Sequence, residues 1–261
     1  SDHCAKVVSR DGFSRLTVDG REVPAIIYKG ITPHRKEEGN LYFGAKMDRA
    51  GIHLQAIPIR FGDSPQKAGF WSAKGFDAKG AAEEIRRVMR LAPNSLFLLS
   101  MSTDAYPEFS DEHPDEVWCD ADGRKVWGGN VHADHSTDPG AKRKNQWPWM
   151  SYHSLVWREA VKRNVSALVE ELRAQGLAKR VVGVHIAGYH DGQFATILPD
   201  YSKPAVEGFR AWQKREYGCV KWETAPVFEV KPFFTPGKDD REIAFTRFLK
   251  TAPMDMQNDI A

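Results

Sequence analysis

Cysteine is scarce. Cys4, Cys119 and Cys219 are odd in number, widely spaced and without a Cys-x-x-Cys pair, which excludes a zinc knuckle and a dense disulfide scaffold. No window approaches the roughly 18 to 20 uninterrupted apolar residues of a membrane span. Nor does an apolar N-terminal stretch read as a signal peptide, so any export signal is expected to have been removed. Charge of one sign is missing too. The 37 Lys and Arg balance 35 Asp and Glu for a formal net charge of +2, which gives no reason to expect nucleic acid or an acidic membrane as partner. No period of 20 to 50 residues recurs, so solenoids are excluded. No strand-like run is followed by a phosphate-binding glycine pattern, which removes the usual mark of a nucleotide-binding open sheet. His185 and His190 form neither an HxH nor an HExxH site; no metal and no cofactor is expected.

What the chain has is aromatic mass: 8 Trp, 14 Phe and 7 Tyr in 261 residues. Such Trp content suits a saccharide site or simply a large core. The length allows one large domain or two small ones, and 41% hydrophobic with 28% charged residues is an ordinary globular composition. Cys4, close to the start, reads either as the lipid-anchoring cysteine of an exported protein, secreted or periplasmic, or as a free thiol on a frayed terminus.

Local signals predict an N-terminal extension and hairpin over residues 1–24. Ser14 to Val18 and Arg21 to Pro24 flank Asp19-Gly20, the residue pair that tight hairpin turns favour. The second arm is expected to run on into a buried strand from Ala25. A helix is predicted over 38–50 with Gly51 as its stop, then a strand over 52–60. A helix capped by Asp77 and closed by Pro93 follows, then the continuous apolar run Ser95 to Met101, of a kind found in parallel sheets. Residues 105–150 are polar and Trp-rich without strong periodicity, and read as functional loops; Lys142-Arg143-Lys144 within them reads as solvated surface. Ser154 to Gln175 is the clearest helix, with Leu155, Val161, Val165, Leu168, Val169 and Leu172 as one stripe and Gly176 as its end. A strand over 181–187 follows, then a helix capped by Ser202 with Phe209 and Trp212 on one face, and a last helix from Asp239 that extends toward Ala261 despite Pro253. Trp157 and Trp212 fall at core spacing.

The order is a hairpin and then four βα units over 25–261, which predicts a parallel α/β sheet. Between an open doubly wound sheet and a (β/α)8 TIM-type barrel, the aromatic and polar residues after the strand ends favour the barrel, because barrel enzymes place their sites there.

Five segments carry chemistry in order. They are Gly69-Phe70-Trp71 with Phe76-Asp77; His113-Pro114-Asp115-Glu116 with Asp122-Gly123; Ser154 to Arg158; Ile186-Ala187-Gly188 running to Gln193-Phe194; and Tyr201-Ser202 with Phe209-Arg210 and Trp212. No one of them is specific. Their order along residues 20 to 217 resembles glycoside hydrolases of the β-galactosidase kind, the retaining (β/α)8 clan, and corresponds to the N-terminal half of such a barrel. The resemblance implies a double displacement by two glutamates on β-linked, galactose-type glycans, without metal. It also implies a carbohydrate as partner.

Two departures qualify the carry-over. The general acid/base of such enzymes is a Glu in a Glu-Trp pair after the fourth strand; here the pair reads Gln193-Phe194, and a carboxamide exchanges no proton near neutral pH. Gln193 is a natural pseudoenzyme position or an engineered change, or the alignment slips by two and Asp191 is the acid; Asp191 as a plain turn cap before Gly192 is the structural alternative. The nucleophile comes from a late strand in the family, whereas this chain runs out after four units of a fold that takes about 250 residues for eight. Arg60 ends the second strand, where the clan keeps an Arg pointing at the nucleophile. Asp104 follows the third strand and can hold a sugar hydroxyl. Trp71 can stack on a sugar face. Tyr189 and His190 precede Asp191 on the same rim, with 105–150 above it as a lid. The opposing class of reading is a catalytically inactive carbohydrate-binding or assembly module. Four βα units leave parallel edges open, so self-association or a complementary C-terminal half is expected.

Overall fold

A computed structural model describes residues 3–29, 38–62, 69–126, 149–187, 199–228 and 239–260. The chain divides into two compact units that interleave in sequence. One takes Ser1–Gly62, Lys67–Thr103 and Arg163–Gly192; the other takes Asp63–Gln66, Asp104–Lys162 and Gln193–Ala261.

The first unit opens with an antiparallel meander, β1 (Ala5–Arg10), β2 (Phe13–Val18) and β3 (Arg21–Val23). Asp11-Gly12 and Asp19-Gly20 turn it, all four residues at positive φ, as tight hairpins require. The hairpin at Asp19 is as the sequence predicts. β1 was not anticipated, although Asp11-Gly12 carries the same signal. Asp19 ties the start of the meander down, accepting from the Cys4 N–H at 2.8 Å and contacting His3 at 2.5 Å.

The expected strand from Ala25 is corrected in part: Ile26 and Ile27 are exposed, and among the described residues Tyr28 alone bridges, pairing in parallel with Gln55 of the strand expected beside it. α1 (Glu38–Arg49) leads through Gly51, at φ +85°, into β4 (Leu54–Arg60). A two-strand hairpin, β5 (Trp71–Ser72) with β6 (Gly75–Phe76), was also not anticipated. Asp77 caps α2 (Ala78–Leu91), accepting from the Gly80 N–H at 2.9 Å. α2 buries Ala81, Ala82, Ile85, Val88 and Met89 and packs on α1 and β4.

β7 (Leu96–Ser102) pairs in parallel with β4 on one side and with β8 (Val181–Ala187) on the other. The sheet order β4-β7-β8 therefore puts one strand between the second and fourth predicted strands. At the N-terminal ends of these strands Gln55, fully buried, donates to the Gly44 carbonyl and to Ser95 Oγ at 3.0 and 2.9 Å. Ser95 in turn bonds Asp48.

In the second unit, α3 (Phe109–Glu112) and a 3-10 turn at Pro114–Glu116 begin the segment that was expected to be loop. Its described residues are largely packed: Tyr106, Phe109, Val117, Trp118, Val126, Trp149 and Met150 are buried. Apolar burial thus organises a stretch whose sequence shows no period. α4 (Leu155–Ala174) belongs to the second unit up to Lys162 and to the first from Arg163; it buries Val161, Leu168 and Leu172, but Leu155, expected on that stripe, is 65% exposed at the first turn. Ser202 caps α5 (Lys203–Tyr217), which ends at Gly218 with φ +74°. α6 (Asp240–Ile260) continues through Pro253. Phe209 and Trp212 of α5 meet Ala244, Phe245, Phe248 and Leu249 of α6 in the core of this unit. Among the described residues no helix is long and apolar enough to cross a membrane.

Candidate functional site

The parallel sheet has two unlike faces. Paired residues of parallel strands point to the same side, and successive residues alternate. Ile57, Ile59, Phe97, Leu99 and Met101 share one face and are at most 1% exposed. The other face carries Pro58, Ser100 and His185 in one register row and Arg60, Ser102 and Ala187 in the next. Pro58, Arg60, Ser102 and His185 are half-buried and Ser100 is buried, so over β4 and β7 this is the more accessible face, while on β8 the first face leaves Val184 40% exposed. Across it Ser100 Oγ and His185 Nδ1 lie 3.2 Å apart. Burial, and then the charge of Lys29, lower the His185 pKa.

Arg60 is the last residue of β4, as expected. Its position is fixed by backbone on both sides. The Phe61 N–H donates to the Ser102 carbonyl at 2.9 Å, the Phe70 N–H to the Arg60 carbonyl at 3.4 Å, and the Trp71 N–H to the Phe61 carbonyl at 2.7 Å. The segment at Gly69 therefore hooks over the end of β4 so closely that a Cβ at Gly69 would run into the carbonyl oxygens of Phe61 and Gly62. Trp71 follows in β5 and is 5% exposed, while Phe61 and Phe76 pack at 4.7 Å beside it. Arg60 and Trp71 thus belong to one built corner of the first unit.

Asp104 stands two residues beyond β7, in the second unit, half-buried. Tyr189, His190, Asp191 and Gln193 lie outside the described residues. Among the described residues no cluster of three or more His, Cys, Asp or Glu suited to a metal occurs.

The second unit holds a buried polar cluster around Asp200, a residue that the sequence places with Tyr201-Ser202 behind the fourth strand without marking it as buried. Asp200 Oδ2 accepts from Ser151 Oγ at 2.6 Å and Oδ1 from the Ser202 N–H at 2.9 Å, and a backbone bond from Cys119 adds a third donor. Burial outweighs these bonds and pushes its pKa up to about 6. The Cys119 thiol is pushed up to about 11 by burial, then by Asp200 and Asp120. Tyr152, half-buried, has its pKa raised by burial and then by the charges of Asp104 and Asp200. Its ring lies 5.4 Å from Trp118 and 6.4 Å from Trp157. His153 stacks on Phe248 at 4.3 Å, and burial, then Arg158, depress its pKa to about 3. These groups bond one another or pack in rings, so the cluster holds 118–119, 151–158 and 199–202 together. The one local signal for it was the Asp-x-Ser spacing of Asp200 and Ser202, in which the aspartate bonds the backbone two residues on.

No protein-family model matches the chain, and no curated protein matches it. Solved structures do. A β-galactosidase from Bacillus circulans sp. alkalophilus matches 90% of this chain at 16% identity with a TM-score of 0.54, and a β-galactosidase from the psychrophilic Marinomonas ef1 matches 90% at 16% identity with a TM-score of 0.53. In both cases the match covers 34% of the other chain, so this chain spans about a third of the length of the structures it resembles. The likeness is one of fold: a mixed α/β arrangement of helices and a parallel sheet, shared with part of bacterial glycoside hydrolases.

Proposed function

We propose that this chain is the N-terminal portion of a (β/α)8 barrel of the β-galactosidase kind and that it binds β-linked, galactose-type glycans at the C-terminal ends of its parallel strands. The observation that carries the reading is the fold likeness to two β-galactosidases over 90% of the chain. The accessible sheet face that ends in Arg60, Ser102 and the Ser100–His185 pair supports it, since parallel barrels bind ligands at that end. By the resemblance, Asp104, Trp71, Tyr189, His190, Asp191 and Gln193 are the further candidate sugar contacts.

Hydrolysis with retention needs two carboxyl groups about 5 Å apart, one giving and taking the proton and one attacking the sugar. Gln193 in the acid/base position cannot transfer that proton, and β4, β7 and β8 contain no Asp or Glu to replace it. In this reading the chain by itself holds a glycan without cleaving it, and a complementary segment or a second copy, paired along the β8 edge that no strand among the described residues covers, supplies what the barrel lacks. Asp191 is the residue through which the hydrolase reading survives without repair.

The test has two arms. Calorimetry with galacto-oligosaccharides is expected to show binding; its absence overturns the glycan reading. Release of nitrophenol from an aryl-β-galactoside is expected to be absent in the native chain. Its appearance in Gln193→Glu would identify a disabled hydrolase, and turnover in the native chain lost in Asp191→Asn would place the acid at Asp191.

A further inference from the structure

We infer that the accessible face of the β4-β7-β8 sheet is a subsite for an anionic group carried on a sugar, a carboxylate or sulfate ester, gripped by Arg60 and flanked by Ser102, Ser100 and His185. The inference rests on the glycan reading above, sharpens it from neutral to acidic glycans, and gives Arg60 a substrate contact in place of the nucleophile contact that the family resemblance implies.

Geometry brings the groups together. Arg60 pairs with Ser102 across β4 and β7, and one row earlier on the same face Pro58, Ser100 and His185 align across all three strands. Same-face rows are about 7 Å apart along a strand and neighbouring strands about 4.8 Å apart, so these side chains share one patch of the size of a sugar ring. The residue after the Tyr28 bridge, Lys29, falls opposite Ala56 on this same face, and its charge reaches His185.

Composition sets the preference. The three strands read LQAIPIR, LFLLSMS and VVGVHIA, with no carboxylate among them. A neutral sugar offers hydroxyls that donate as well as accept, and a site for it commonly pairs them with carboxylates or amides. This face offers a guanidinium, an imidazole and hydroxyls, a donor-rich set. The planar guanidinium fork fits a carboxylate or sulfate with two parallel hydrogen bonds. Hydroxyls and a neutral imidazole beside it add donors at little desolvation cost. Burial first, and then the charge of Lys29, lower the His185 pKa, and an anion held beside it raises that pKa again.

The experiment uses the full 261-residue chain and four probes: galactose, galacturonate, galactose 6-sulfate and inorganic sulfate. Galacturonate and galactose 6-sulfate are expected to bind at least about tenfold more tightly than galactose, with the advantage shrinking as salt is raised. Arg60→Gln is expected to abolish the advantage and Arg60→Lys to restore part of it. Equal affinity for acidic and neutral sugars overturns this inference and leaves the glycan reading standing. Failure of all three sugars overturns both. Inorganic sulfate binding as tightly as galactose 6-sulfate makes the patch a free-anion site and overturns its assignment to glycans. Should Arg60→Gln fail to fold, the native chain still decides. The His185 ring, followed by NMR titration, is expected to rise in pKa with galacturonate and not with galactose, and an unchanged pKa refutes the proposal.

Discussion

Two buried groups of the second unit titrate against each other, and their opposition can be measured. Asp200 has a folded pKa of about 6 against an ordinary value of 3.8, so the folded chain holds that proton more tightly than the unfolded chain. Its contribution to stability is greatest below pH 4 and is lost as pH rises toward 6. His153 has a folded pKa of about 3 against 6.5, so the unfolded chain holds that proton more tightly. Its contribution is complete above pH 6.5 and is lost as pH falls. One proton of difference between folded and unfolded states changes stability by about 1.4 kcal/mol per pH unit. Between roughly pH 4 and 6 the two slopes are equal and opposite, each amounting to about 3 kcal/mol over the window.

The perturbation is to remove one partner at a time. Asp200→Asn takes away the falling slope, so its stability relative to the native chain is expected to climb by about 3 kcal/mol from pH 4 to pH 6.5. His153→Phe keeps a ring against Phe248 and takes away the rising slope, so its relative stability is expected to fall by a similar amount over the same range. The assay is urea denaturation at half-unit pH steps, read as the difference between each variant and the native chain, which cancels the carboxylates common to both. Parallel curves for either variant and the native chain would refute the reasoning for that residue. They would show that water or local opening reaches it in the folded state.

Other expectations are smaller in scope. Arg180 donates to the carbonyl of Met89 in the last turn of α2 and to those of Ala92 and Ser95 beyond it, and lies over the Phe97 ring at 5.0 Å. Arg180→Met is therefore expected to cost roughly 3 kcal/mol in a denaturation midpoint, with Arg180→Lys recovering part of it; a change under about 0.5 kcal/mol would deny the capping role. Gly69→Ala is expected to lower the thermal midpoint by several degrees, because its Cβ meets backbone carbonyls rather than a side chain that can turn aside. An unchanged midpoint would show that the hook over β4 relaxes freely. Light scattering is expected to report a species larger than one chain, since among the described residues no strand pairs with the outer edge of β8; a monodisperse monomer speaks against a closing partner.

How much of the fold was legible follows from how local each signal is. Asp77 and Ser202 announce their helices because a cap bonds the backbone three residues on, wholly within the local sequence. Gly51, Gly176 and Gly218 announce helix ends because the left-handed φ there favours glycine. β4, β7 and β8 were visible as apolar runs. The same density hid their alternation, since apolar residues fall on both faces and both are partly covered. The expected strand at Ala25 held only at Tyr28, for the converse reason. Ile26 and Ile27 look like core from composition, yet nothing in the local sequence says whether a neighbouring strand is there to cover them. Residues 105–150 are irregular over most of their described part, as expected, but their described Trp and Tyr residues pack in a pattern set by contacts far along the chain, such as Trp118 Nε1 to the Pro199 carbonyl.

The candidate site divides along the same line. Arg60 was recognisable as a strand end, but its relation to Ser102 and His185 exists only through register across three strands, which single-sequence periodicity does not carry. Asp200 was invisible as a buried acid because its donors come from residues near 119, 151 and 202. This distinction bears on function. A hydrolase reading drawn from motif order rests on carboxylates at stated positions, and the described accessible face of the strands supplies none. A binding reading rests on donors and shape, and that face supplies Arg60, Ser100, Ser102 and His185. The decisive carboxylate chemistry therefore has to come from Asp104, from the Asp191–Gln193 segment or from another polypeptide. The aryl-galactoside assay on the native chain, Gln193→Glu and Asp191→Asn separates those sources one substitution at a time.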